Sequence, residues 1–120
     1  MKASRFERGR AGEGIAAARL EAEGWSIVGR NFRWAGGEID LIAAREGLVA
    51  FVEVKSWETM GPEELEKAIG ADKQRRIIET AKIFLSRHRE YNGWSIRFDV
   101  ILVSGGEVVE CYPSAFTGEL

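Results

Sequence analysis

The chain reads as a mixed α/β domain: a helix, three consecutive strands, a second helix, a strand and one more strand, which gives one mixed sheet flanked by helices on both faces. Three features support this. Apolar residues recur at helical spacing in EGIAAARLEAEG and again after Asp72; EIDLIAA, LVAFVEVK and SIRFDVILV are short apolar runs of strand length; and glycines stand where such runs must turn. At 120 residues and 13.4 kDa the chain has the size of a single domain spanning 1–120.

The elements follow in order. Gly9 to Gly12 is a glycine-rich entry to the first helix, in which Glu13, Ala17 and Leu20 share one stripe before Gly24 ends it. Trp25 to Phe32 is the first strand and Trp34 to Gly37 a turn. EIDLIAA and LVAFVEVK are joined through Arg45, Glu46 and Gly47, so the three strands form an antiparallel meander. A short helix is expected in GPEELEKAIG, with Pro62 in its first position and Gly70 at its end. Asp72 is a candidate N-cap for a long helix whose apolar face is Ile77, Ala81, Phe84, Leu85 and His88. SIRFDVILV follows as a buried strand, Gly105 and Gly106 as a hairpin turn, and VVECY as an edge strand. A helix crosses between the third and fourth strands, which makes that pair parallel.

Composition excludes several classes. With 45% hydrophobic and 30% charged residues the chain is that of a globular domain, not a disordered or collagen-like one. No apolar run has the length of a membrane span and the start has no signal-peptide core, so a cytoplasmic protein with no membrane partner is expected. A single cysteine, Cys111, and a single histidine, His88, exclude an internal disulfide and a zinc site of the usual nitrogen and sulfur type, so any metal must sit on oxygen. The net charge is -2 and the pI about 5.5. Basic residues are nevertheless concentrated at Lys2, Arg5, Arg8 and Arg10 and at Lys73, Arg75, Arg76, Lys82, Arg87 and Arg89, while Glu58, Glu63, Glu64 and Glu66 gather between them. These are solvated helix faces or a local surface for a polyanion.

If Glu46 and Gly47 form a two-residue hairpin loop, opposed residues have numbers that sum to 93 and Asp40 faces Glu53. Ala44 then faces Val49, Ile42 faces Phe51 and Glu38 faces Lys55 on the same side, with Ile39, Leu41 and Ala43 on the other. Two opposed carboxylates ~5 Å apart repel unless a cation sits between them. A hard divalent ion such as Mg²⁺ meets that need. The alternative is charge fraying out at strand ends, with Glu38 and Lys55 as a cross-strand ion pair. Glu-Gly is a weaker two-residue loop than Asn-Gly, and a slip of one residue would separate the two carboxylates.

GEIDLIA followed by FVEVK resembles the D…(D/E)xK motif of the PD-(D/E)xK nuclease superfamily, here Asp40, Glu53 and Lys55. From GRAGE to the terminal AF the chain resembles the YraN family, regarded as endonucleases and similar to archaeal Holliday junction resolvases. The resemblance implies a restriction-endonuclease-like αβββαβ core and hydrolysis of DNA phosphodiester bonds, in branched or structured DNA, with Mg²⁺ or Mn²⁺. It implies metal ligands at Asp40, Glu53 and the Val54 carbonyl, with Lys55 catalytic. It matches Glu13 to a metal-site glutamate in the first helix; Glu13 could equally be a first-turn partner of the helix dipole. Lys73 and Gln74 match a polar-basic start to the second helix, and with Arg8, Arg10, Arg33, Arg75 and Arg76 they are candidates for binding nucleic acid. A homodimer is implied by analogy with the resolvases.

One position departs from the family pattern: Trp57 stands where an arginine is common, two residues after the motif lysine. His88 reads as a half-buried helix-end residue, and Trp25, Trp34 and Trp94 read as core or rim packing. The competing class is a non-catalytic module on a nuclease fold, binding nucleic acid or a protein.

Overall fold

The computed structural model describes residues 5–56 and 69–118, with side chains from Arg10 onward except at Val109. Its elements are α1 (Arg5–Ala22), β1 (Ser26–Trp34), β2 (Gly37–Arg45), β3 (Leu48–Ser56), α2 (Ala71–Arg87), a 3-10 turn (Arg89–Tyr91), β4 (Ser95–Ser104) and β5 (Glu107–Phe116). They build one five-stranded sheet in the order β1-β2-β3-β4-β5. β1, β2 and β3 form the expected antiparallel meander, β3 and β4 run parallel, and β5 returns antiparallel on the outer edge. This is a mixed α/β architecture with the layout of a restriction-endonuclease-like core. The expected short helix at 61–70, the acidic cluster at 58–66 and Trp57 lie outside the described residues, apart from the helix's last two positions.

Each helix buries one face of the sheet. Ala16, Ala17 and Leu20 of α1 pack on Leu41, Ala43, Ala50, Val52, Ile101 and Val103. On the opposite face Ile77, Ala81 and Phe84 of α2 pack on Ile42, Val49, Phe51 and Phe98. β2 and β3 are therefore apolar on both sides because both sides are covered, as expected for central strands. The Phe84 ring meets Phe32 and Phe51 edge-on at centroid separations of 5.4 and 5.9 Å.

Several boundaries differ from expectation. α1 begins at Arg5, so Gly9 and Gly12 lie inside it rather than before it. Glycine lowers helix propensity by about 1 kcal/mol, which packing of the following turns can offset. At its other end Gly24 adopts a left-handed φ of 93°. Trp25 N–H donates to Leu20 O at 3.0 Å and Gly24 N–H to Glu21 O at 3.0 Å, a Schellman arrangement. Trp25 is thus committed to the cap and β1 starts one residue later. β1 also runs on through Trp34, leaving Ala35 and Gly36 as the turn residues. α2 is entered from Gly70, not Asp72. Gln74 N–H donates to Gly70 O at 3.0 Å, which starts the helical ladder two residues before Asp72.

The β2–β3 hairpin bears out the register. Leu41↔Val52, Ile42↔Phe51, Ala43↔Ala50, Ala44↔Val49 and Arg45↔Leu48 are paired. Glu46 and Gly47 have φ of 46° and 81°, the left-handed pair of a type I′ turn, so the loop takes its two-residue form despite glutamate in its first position. Pairing stops at Leu41↔Val52, one step short of Asp40 and Glu53. Alternation also breaks there: Ile39 packs with Ile42 on the α2 face, not with Leu41 and Ala43. No helix among the described residues is long and apolar enough to cross a membrane.

Candidate active site

The place where β2 and β3 part is where the charged residues meet. Beyond Leu41 the Val54 N–H donates to the Asp40 carboxylate (Oδ2, 2.9 Å), so the side chain of Asp40 fills the gap between the strands. Opening the hairpin at this point relieves the approach of two partly desolvated carboxylates. Glu53 points to the α2 face and is buried, 4% exposed. There Lys73, from the first turn of α2, places Nζ 3.0 Å from Glu53 Oε2, and Lys55 places its own Nζ 3.5 Å from the same oxygen. The expected Glu38–Lys55 cross-strand pair is absent, because the parted strands no longer hold those residues opposite each other. Glu38 instead meets Arg33 at 3.3 Å.

Glu13 lies on the cleft and not at a helix end. Because α1 begins at Arg5, Glu13 is more than two turns from the N-terminus and beyond the reach of the end charges. Asn31 Nδ2 donates to Glu13 Oε2 at 2.9 Å and approaches Glu38 Oε1 at 3.4 Å, tying α1 to the sheet. Asn31 has φ 50°, a left-handed conformation that asparagine tolerates better than most residues, and it stands level with the unpaired Asp40. Asn31 was not among the residues singled out in the sequence. Its only trace there is a position inside RNFR, at the middle of a strand, where asparagine is uncommon.

Together Glu13, Glu38, Asp40, Glu53, Lys55, Lys73 and Arg76 line an open cleft of about 410 Å³, floored by Gly36 and Gly37. Gly37 is required for its shape. A Cβ at that position would collide with Thr80 Oγ1 and lie 2.9 Å from Arg76 O, so β2 can meet α2 this closely only as glycine. Burial and the neighbouring Glu53 charge push the Asp40 carboxyl up to about 7. Burial also lowers the Lys55 ammonium, helped by its hydrogen bond to Lys73 and the positive charge there. Burial works against Lys73 as well, but Glu53 and the bond to Lys55 outweigh it and leave that ammonium raised.

The cleft can therefore do three things. It offers anionic oxygen donors suited to a hard cation, and no nitrogen or sulfur donor is among its lining residues apart from the amines and Arg76. It holds one lysine, Lys55, whose amine is easier to deprotonate than usual. It also neutralises Glu53 internally through two amines. Among the described residues no three His, Cys, Asp or Glu side chains form a ready-made cage, so a cation would have to draw the carboxylates together and displace Lys73 from Glu53.

The other sequence candidates are placed as follows. Arg76 is on the cleft wall. Arg33 is exposed at the rim, Arg75 is exposed and bridges to Asp72 at 3.2 Å, and Arg10 is exposed on α1. Gln74 turns inward, its amide donating to Ile69 O at 2.8 Å, and so helps fix the start of α2. The Arg8 side chain is outside those described. His88 is half-buried, with Nδ1 3.1 Å from Phe84 O and its ring stacked on Phe84 at 4.0 Å. Trp25 is buried beneath the Arg45 guanidinium at 4.3 Å.

An αβββαβ core with an acidic pair and a lysine where two central strands part defines a restriction-endonuclease-like α/β domain. Comparison with known sequences narrows this. The profile of the Uncharacterised protein family UPF0102 matches residues 12–103, most of the chain, and the chain belongs to that YraN-like family. The matched span includes Glu13, Asn31, Asp40, Glu53, Lys55 and Lys73 and ends before β5. The chain is 44% identical over 104 residues to a UPF0102 protein of Granulibacter bethesdensis, covering 87% of this chain and 65% of that one. It is 47% identical over 92 residues to a UPF0102 protein of Treponema pallidum, covering 77% and 73%, and 46% identical over 98 residues to one of Mesorhizobium japonicum, covering 82% and 77%.

Proposed function

We propose that the protein is a Mg²⁺- or Mn²⁺-dependent endonuclease that hydrolyses phosphodiester bonds of branched or otherwise structured DNA. The observation that carries this reading is the juxtaposition of half-buried Asp40 and buried Glu53, with the Asp40 carboxyl pushed up to about 7 by burial and by the Glu53 charge, and with Lys55 against the same cleft. Such an arrangement destabilises the metal-free fold, and buried groups with displaced titration are a mark of functional sites.

Asp40, Glu53 and the Val54 carbonyl would hold the metal, with Glu13 completing its shell. When bound, such an ion would supply Lewis-acid chemistry, polarising a phosphoryl oxygen and lowering the pKa of a water. Lys55, with its lowered ammonium, would orient the attacking water or take its proton, and in its charged form would offset charge building on the phosphoryl oxygens. Asn31 keeps the Glu13 carboxylate turned into the cleft. Lys73 is a counter-charge to Glu53 that frees the carboxylate when substrate phosphate or a cation competes for it. Arg76 and Arg75 grip phosphates without reading sequence.

The second reading is a binding module on a nuclease fold. The two amines on Glu53 Oε2 favour it, since they satisfy that carboxylate without any metal. Titration with Mn²⁺ in a calorimeter separates the two: the nuclease binds the ion and Asp40→Asn does not. Labelled linear, nicked, flapped and four-way DNA with Mg²⁺, Mn²⁺ or EDTA then tests cleavage directly. Absence of cut product from all four with either metal would refute the nuclease reading.

A further inference from the structure

The carboxylate cleft does not end at Gly37. Its floor residues Gly36 and Gly37 also line a depression beside Trp34 and Arg33, and Gly37 and Arg76 line another between Trp34 and α2. Trp34 stands between these depressions at the tip of the β1–β2 hairpin. It is 42% exposed and is the exposed large hydrophobic side chain among the described residues. The Arg87 guanidinium lies 4.4 Å from its ring centroid. On α2, Arg76, Thr80, Ile83 and Arg87 follow at steps of four, three and four residues and so form one stripe along that helix. The tip lies close on α2, since a Cβ at Gly37 would meet Thr80 and the Arg76 carbonyl.

The chemistry around the ring is cationic more than apolar. Arg33, Arg75, Arg76 and Arg87 surround it, against Glu38 and Glu79 in the same depressions and Asp72, which holds Arg75. A protein partner docking through hydrophobic contact would need an apolar patch of several hundred Å², and one tryptophan among arginines does not supply it. With the Arg87 guanidinium over one face of the ring and other arginines beside it, the indole suits a nucleotide, whose base stacks on the opposite face or in place of Arg87 while its phosphates pair with the arginines. A duplex hides its base faces; an unpaired nucleotide presents them.

We propose that Trp34, with Arg87 and Arg76, is a stacking platform for an unpaired nucleotide of single-stranded or branched nucleic acid. Trp34 is paired with Gly37, three residues along β2 from Asp40. At ~3.4 Å per strand residue that is ~10 Å, so the stacked base lies within about three nucleotides of a phosphate held over Asp40 and Glu53. The platform would give the cleft its preference for DNA that is not a continuous duplex. It deepens the endonuclease reading, and its binding function is separable from cleavage.

The test measures binding in EDTA, where cutting does not intervene. Fluorescence anisotropy with a labelled oligothymidylate and with a hairpin duplex compares the parent with Trp34→Ala, Trp34→Phe and Arg87→Ala. Trp34→Ala should weaken single-strand binding about tenfold while Trp34→Phe keeps it within about threefold, as expected when one base–aromatic stack is lost or retained. Duplex affinity should change by less than about twofold, because phosphate contacts dominate there. If Trp34→Ala also lowers the melting temperature, quenching of 2-aminopurine in a single strand by the parent protein decides: stacking quenches it, and an unchanged emission overturns the proposal. Equal losses for single strand and duplex, or no loss in either, overturn it as well. Cleavage with a flat Trp34 series refutes the platform alone, and a Trp34-dependent affinity without any cleavage refutes the nuclease reading alone.

Discussion

Asp40→Asn should make the metal-free protein more stable at pH 8. The substitution keeps a side-chain oxygen to accept the Val54 N–H and removes the negative charge beside Glu53. The Asp40 carboxyl rises from 3.8 in the unfolded chain to about 7 in the fold. A group raised in this way contributes stability that is fully present below about pH 4 and is lost as pH climbs through about 7. At ~1.36 kcal/mol per pH unit the difference sets an upper limit of roughly 4 kcal/mol for keeping Asp40 ionised. Water entry and relaxation of Lys55 and Lys73 reduce this, and about half of it is a working figure. With an unfolding entropy near 2.1 cal/mol/K per residue, about 2 kcal/mol corresponds to a rise of ~8 °C in a chain of this size. Thermal melts in EDTA at pH 5 and pH 8 measure it: the mutant should exceed the parent at pH 8, with the gap narrowing at pH 5. Mn²⁺ at about ten times its Kd should raise the parent by roughly 1.4 kcal/mol and leave the mutant unmoved. A mutant that melts below the parent at pH 8, or a gap that ignores pH, would show that Asp40 and Glu53 do not oppose each other in the fold.

Other substitutions address separate parts of the structure. Lys55→Ala should leave Mn²⁺ affinity within a small factor of the parent while cleavage falls by about 10² or more, measured by single-turnover assay on the best DNA substrate. Arg75→Ala with Arg76→Ala should weaken DNA binding for every sequence alike and flatten its salt dependence, read from anisotropy across a salt series. Gly37→Ala should destabilise by about 1–3 kcal/mol in a urea titration, because its Cβ meets Thr80 and the Arg76 carbonyl. Asp99→Ala, on β4 and outside the cleft lining, should cost about 1–3 kcal/mol, since it removes the acceptor of the Arg97 guanidinium at 2.8 Å and of the Ser114 N–H at 3.0 Å.

Much of this site could be read from the sequence because its determinants are local. The two-residue turn at Glu46 and Gly47 sets the register of β2 on β3, and the register brings Asp40 and Glu53 to the same end of the hairpin. The helix between β3 and β4 makes that pair parallel, since a crossover of that length returns the chain in the same direction. Apolar runs without alternation mark β2 and β3 as strands covered on both sides. None of this requires knowing how far apart two distant elements come to rest.

What the tertiary structure decided is what happens where those local rules stop. Pairing ends at Leu41, so Asp40 takes the Val54 N–H in place of a ladder partner and Glu38 turns to Arg33 rather than Lys55. Periodicity cannot show this, because it fixes the face a side chain takes and not the point at which two strands cease to pair. Lys73 is a nucleic-acid candidate only through its match to a polar-basic helix start; that its ammonium lies on Glu53 follows from the approach of α2 over Gly37. Asn31 reaches Glu13 across 18 positions of sequence, and Trp34 is left exposed at a hairpin tip beside Arg87. Turn geometry and side-chain alternation are properties of a few neighbouring residues and are written in the chain; the distances between packed elements depend on the volumes of all the side chains between them, and those are settled only when the core closes.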